Sequence, residues 1–280
     1  MTSVLSAPSH PTGTADLAAG PQSADAQPVT LARVVRSEWV KLRSLRSTGI
    51  VLGLTAVLMV ALGMLITYFS WHGSNAFARA RFDAIDRSLS GAHLAMLTVG
   101  VLGVLVITGE YTTGMIRSTL SAVPRRLPVV WAKVAVFAPV TFVVSLVSAL
   151  VAFLVSQALI APHGASLSSP GALRAVVGVA LFLTVMGIMG TGLGFLTRST
   201  AGGITSVVGL TFVLQAIGAA LPASWQHSVV PYLPLQAGEA VFTIRPDTTL
   251  LAPWPGFALF CAYAALTVLA GAYTLEHRDA

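Results

Sequence analysis

Six long apolar runs constrain this chain more than any other feature. They occupy residues 48–70, 91–109, 134–160, 173–196, 203–222 and 255–275, and most contain no Lys, Arg, Asp or Glu. A hydrocarbon core about 30 Å thick needs roughly 20 helical residues to cross it. Lipid offers no partner for peptide N–H and C=O groups, so each run is predicted to be a helix that satisfies its own backbone. The expected fold class is all-α: a polytopic membrane protein with six transmembrane helices. Composition agrees, at 55% hydrophobic and 9% charged residues, against roughly 25% charged in a soluble domain. Six spans consume most of the 280 residues and leave no stretch for a soluble catalytic domain. Residues 1–30, rich in Ala, Pro, Ser, Thr and Gly, bury too little to offset chain entropy and read as a disordered cytoplasmic tail. They show no basic n-region and apolar h-region of a secretory signal. The membrane domain is then 31–280.

Charge sets the predicted orientation. With the N-terminus inside, Arg33, Arg36, Lys41, Arg43 and Arg46 precede the first span. Arg117, Arg125, Arg126 and Lys133 lie between spans two and three, and Arg198 and Arg278 follow spans four and six. The other side receives only Arg79, Arg81, Arg87, Arg174 and Arg245. The positive-inside rule therefore puts both termini in the cytoplasm of a multi-pass protein. It also accounts for the net charge of +6 without nucleic acid. The fifth span has the least secure boundary, because Gly202, Gly203, Gly209 and Gly218 lower its helix propensity.

Three segments outside the spans stand out. Residues 31–46 are amphipathic, with Leu31, Val34, Val35, Leu42 and Leu45 on one face and Arg33, Arg36 and Arg43 on the other. This is the pattern of a helix lying in the headgroup plane, with Trp39 at the interface. Glu38 falls on the apolar side, where only a partner makes it tolerable, and Lys41 at i+3 is the nearest. The connection from Glu110 to Lys133 is long and polar. Thr112–Leu120 can form a short helix, with Pro124 and Pro128 expected to end it and redirect the chain. The connection from Pro222 to Pro255 is unusually apolar and is expected to dip back into the outer leaflet, where its backbone must be covered by protein or water. Gly190/Gly194 and Gly49/Gly53 have the small-xxx-small spacing of helix packing seams.

Several chemistries lack their residues. The six histidines are scattered, with no HExxH, CxxC or carboxylate cluster for a metal. No GxSxG elbow and no GxxxxGK[ST] loop occur, so no catalytic residue and no ATP site is assigned. Cys261, the lone cysteine, is expected to be a small packed residue. The spans hold no ionisable group deep inside, unlike ion-coupled carriers. Gln157 and Gln215 are expected to bridge neighbouring helices. Energy for transport must then come from another molecule.

These pieces together resemble the permease subunit of an ABC-2 type ATP-binding-cassette exporter. The resemblance rests on RVVRSEWVKLRSLRST (33–48), on GEYTTGMIRSTLSAVPRR (109–126) ahead of Ala132 and Lys133, and on PYLPLQAGEAVF (231–242). It implies that 31–46 is an elbow helix, with Glu38, Trp39 and Lys41 as its notable residues. It implies a coupling helix within 110–126 that meets a separate ATPase through Glu110, Tyr111, Arg117, Arg125 and Arg126. It further implies an outer re-entrant gate in 223–254, with Tyr232, Pro234, Gly238 and Glu239; Leu235-Gln236 stands where a small polar pair is the family pattern. ATP and Mg2+ would bind the partner ATPase and not this chain. The expected partners are that ATPase, a second permease copy and the lipid bilayer of the plasma membrane. The cargo would be a lipophilic solute, drug, antibiotic or lipid. A non-transporting scaffold or immunity-type protein, or an intramembrane enzyme, are the alternatives.

Overall fold

The structure, a computed structural model, describes residues 30–73, 82–122, 126–161, 163–244 and 250–277. Within these, every regular element is helical. In chain order they are α1 (Leu31–Ser44), α2 (Arg46–His72), α3 (Ala84–Ser88), α4 (Ala92–Thr112), α5 (Met115–Ala122), α6 (Leu127–Leu159), α7 (Ala172–Thr197), α8 (Thr200–Ala220), α9 (Ala223–Val229), α10 (Pro234–Glu239) and α11 (Pro253–His277). Six of them, α2, α4, α6, α7, α8 and α11, are long and apolar enough to cross a membrane. The tail, Pro124, Arg125 and the cationic Arg79, Arg81, Arg245 and Arg278 lie outside the described residues.

Helix α7 is the axis of the bundle. Its most apolar stretch is 72% buried, whereas that of α2 is 17% buried. Close approach explains why α7 can sit there. A Cβ at Gly190 would overlap the carbonyl oxygen of Gly100 on α4, and one at Gly103 would overlap that of Gly187. Gly192 likewise meets Thr267 and Val268 of α11. Small residues let three backbones meet where side chains could not fit, as the Gly190/Gly194 spacing predicts. Gly49 and Gly53 are different, for their Cβ positions face open space.

Phe182 of α7 stacks on Phe260 of α11, with centroids 5.4 Å apart. Gly238 on α10 fits against both rings. Leu235, Ala237, Val241 and Phe242 complete this core. Residues 235–242 of the apolar connection are therefore covered by protein, while Trp225 and Tyr232 stay exposed. Arg174 ties it to α7 by donating to the carbonyls of Val241 (2.8 Å) and Thr243 (3.1 Å). Gln157 joins α3 to the α6–α7 connection, donating to Ala84 O at 3.0 Å and accepting from Ala165 N at 2.7 Å.

Two boundaries differ from the sequence reading. Helix α6 starts at Leu127 and not at residue 134, because Pro128 sits in its first turn. There its missing N–H and fixed φ favour the helix instead of ending it. The first amphipathic segment stops at Ser44, and Leu45 is extended (ψ 109°) before α2 begins at Arg46. The glycine-rich fifth span does form a membrane-length helix, α8, with one π turn over Gly209–Val213.

Candidate functional site

The polar centre of the molecule is a charged quartet, with three of its members buried and Lys41 partly exposed, that joins three helices at one end of the bundle. Glu38 comes from α1, Glu110 from the last turn of α4 and Lys133 from the second turn of α6. Lys41, also on α1, completes it. Lys133 Nζ donates to Glu38 Oε2 (2.6 Å) and Glu110 Oε1 (2.7 Å). Lys41 Nζ donates to Glu38 Oε1 (2.8 Å), Glu110 Oε1 (3.1 Å) and Thr119 Oγ1 of α5 (3.1 Å). The side chains of Lys133, Glu38 and Glu110 are 2%, 4% and 9% exposed. Two cations and two anions balance, so the cluster buries no net charge. Burying one unpaired charge would be prohibitive.

Ionisable groups thus sit near the ends of membrane-length helices, Lys133 in the second turn of α6 and Glu110 in the last turn of α4. Once α6 begins at Leu127, Lys133 lies about 9 Å inside its helix at 1.5 Å per residue. The chain has just two lysines, against fourteen arginines, and both are in the quartet. An ammonium offers three donors from one point, which suits Lys41 with its three acceptors. A flat guanidinium fork does not fit that arrangement. Burial alone would lower the pKa of Lys41, but its bond to Glu38 and the charges of Glu110 and Glu38 outweigh this and raise it. A raised amine pKa stabilises the fold fully below the ordinary lysine value of about 10.4 and ceases to as pH climbs through the folded-state value. The stability gap between the protein and its Lys41→Gln variant should thus stay constant from pH 7 to about 10 and close above it. Thermal unfolding in detergent across that range checks this; a gap that narrows below pH 9 contradicts it.

Helix α5 attaches to the quartet through Thr119. A two-residue turn, Thr113 and Gly114, sets it off from α4, and Gly114 has φ 69°, which favours glycine. Ile116 is 3% exposed, and Leu120 packs on a cluster of α4, α6, α7 and α11. Met115, Arg117, Ser118 and Ser121 face outward.

The other sequence-derived candidates divide among different places. Glu110 faces into the quartet and not onto the surface. Tyr111 lies half-buried beneath the Arg198 guanidinium, 5.6 Å from its ring centroid. Arg126 donates to the carbonyl of Leu275 (2.6 Å), and Arg198 to that of Thr274 (2.6 Å). These two arginines thus cap the C-terminal carbonyls of α11, where cations are favoured. Arg198 does so from a left-handed conformation, φ 52°. Arg125 lies outside the described residues. Trp39 is 46% exposed. At the opposite end, Tyr232 is exposed, Pro234 opens α10, Gly238 is buried, and Glu239 approaches His93 Nε2 at 3.3 Å. Sequence reasoning missed Lys133 and Thr119. The pairing of scarce lysines with a carboxylate on an apolar face was the available signal for the first.

Six apolar helices around a glycine-lined axis, with a charged joint buried at one end, define a multi-pass membrane protein. The chain belongs to the ABC-2 family: a family model described as ABC-2 family transporter protein matches residues 34–218. That range covers α1 through most of α8 and includes all four quartet residues. The family implies a membrane permease subunit of an ATP-binding-cassette transporter. No curated protein matches the chain significantly.

Proposed function

We propose that this chain is the membrane subunit of an ATP-driven exporter and that α5 receives the stroke of a separate ATPase. The observation that carries this reading is the Thr119–Lys41 bond, which fastens α5 to the charged joint of α1, α4 and α6. A push on the outward face of α5 then moves three helices as one body. Of the basic candidates on this connection, Arg117 is the described one whose helix face is open to a partner. Helix α1 acts as the elbow at the membrane surface, and residues 230–242 act as the outer gate. Both termini face the cytoplasm, and a second copy of the permease completes the path through the plasma membrane. The cargo is a lipophilic solute, drug, antibiotic or lipid, and ATP with Mg2+ binds the ATPase.

The test is co-purification with the ATPase followed by turnover in lipid nanodiscs. Arg117→Glu should reduce permease-dependent ATPase stimulation by about tenfold, equivalent to about 1.4 kcal/mol. Thermal unfolding of the permease should stay unchanged, because this side chain is exposed. Undiminished stimulation would remove α5 as the contact.

A further inference from the structure

Beside the quartet lies a partly open cavity of about 280 Å³, lined by residues of α1, α4, α5, α6 and the start of α2. Leu42, Leu105, Val106 and Val136 give it apolar walls, while Glu38, Lys41, Glu110 and Lys133 form its polar end. It exceeds the roughly 150 Å³ at which an engineered apolar cavity already takes up benzene. The Cβ position of Gly109, which also lines it, has nothing within 4 Å.

The polar end is incompletely paired. Glu110 Oε1 accepts from both lysines, but Glu110 Oε2 is buried and has no donor among the described residues. A buried carboxylate oxygen without a donor is costly and calls for one. Lys41 uses its three N–H groups, whereas Lys133 makes two of the three bonds an ammonium can donate. Glu110 and Lys133, which both line the cavity, thus hold one acceptor and one donor in reserve. The terminal torsion of a glutamate is soft, so a small turn presents Oε2 to an incoming group.

We propose that this cavity binds a neutral amphiphile by its hydroxyl head, with the alkyl chain along the apolar wall. A hydroxyl donates to Glu110 Oε2 and accepts from Lys133 Nζ at once. A cationic head would add net charge to a balanced buried cluster, and an anionic head would meet the Glu110 carboxylate. Binding of this kind stands whether or not α5 meets an ATPase.

The probe is a diazirine-bearing octanol, photolysed with the full-length protein in nanodiscs and mapped by peptide mass spectrometry. Labelling of the peptides carrying Leu105, Val106 or Val136 should saturate. Unmodified octanol should compete, and octane, octanoate and octylammonium should compete at least about tenfold less well. Gly109→Leu, whose Cβ enters open space on the cavity wall, should abolish saturable labelling while the protein stays monodisperse. Competition in the unaltered protein decides the matter independently of that variant. Octylammonium competing as well as octanol overturns the hydroxyl assignment. Absence of saturable labelling at these peptides, the outcome if water alone fills the space, overturns the site.

Discussion

Lys133→Met should destabilise the protein by about 3–5 kcal/mol, because it leaves two buried carboxylates facing one amine. That is a large part of the 5–15 kcal/mol typical of a whole domain. The expected readout is near-complete loss of monodisperse protein after mild heating in detergent. The double variant Lys133→Met/Glu110→Met should recover most of the loss. It removes one charge of each sign and leaves Glu38 paired with Lys41 at 2.8 Å. Residues in one charge network couple strongly, so the cycle should show an interaction energy of about 0.5–3 kcal/mol. A double variant no better than the single would show that packing of the lysine stem, and not charge, holds α1 to α6. Lys133→Arg should behave as a loss, since 2.6 and 2.7 Å contacts leave no room for a guanidinium.

Gly190→Leu should be the most damaging change at the bundle axis. Its Cβ would enter the space of the Gly100 carbonyl, and backbone on both sides cannot yield as a flexible side chain does. Overpacking typically costs about 1–3 kcal/mol, and this site belongs at or above the upper end. Gly49→Leu is the matched control, with open space around its Cβ. It should leave thermal unfolding of the chain unchanged. Equal loss in both variants would mean that intrinsic glycine effects, and not helix separation, set the result.

The spans were legible in the sequence because an apolar run of twenty residues has no other stable form in lipid. Glu38 was legible as an anomaly, an acid on the apolar face of an amphipathic segment. Its partner Lys133 was not, because Pro128 read as a helix breaker and put the lysine in a polar connection. A first-turn proline is a helix starter, and position within the turn was the missing information. The glycine seam was half legible. Gly190/Gly194 and Gly49/Gly53 have equal spacing, yet one lies against α4 and the other against nothing among the described residues. Spacing defines a surface that permits close approach; tertiary placement decides whether a helix arrives. The arginines counted as topology signals turned out to include two helix caps, which sequence separation of 76 residues or more conceals.

The separation of the quartet along the chain has a consequence for biogenesis. Glu38 and Lys133 stand 95 positions apart, so a nascent polypeptide exposes the first long before the second is synthesised. Until the third span is made, Glu38 has Lys41 as its partner within the quartet, and the Lys41–Glu110 contact is the quartet's tie between α1 and the second span. Arrival of Lys133 adds the second tie, so the charged joint closes in two stages set by the order of synthesis.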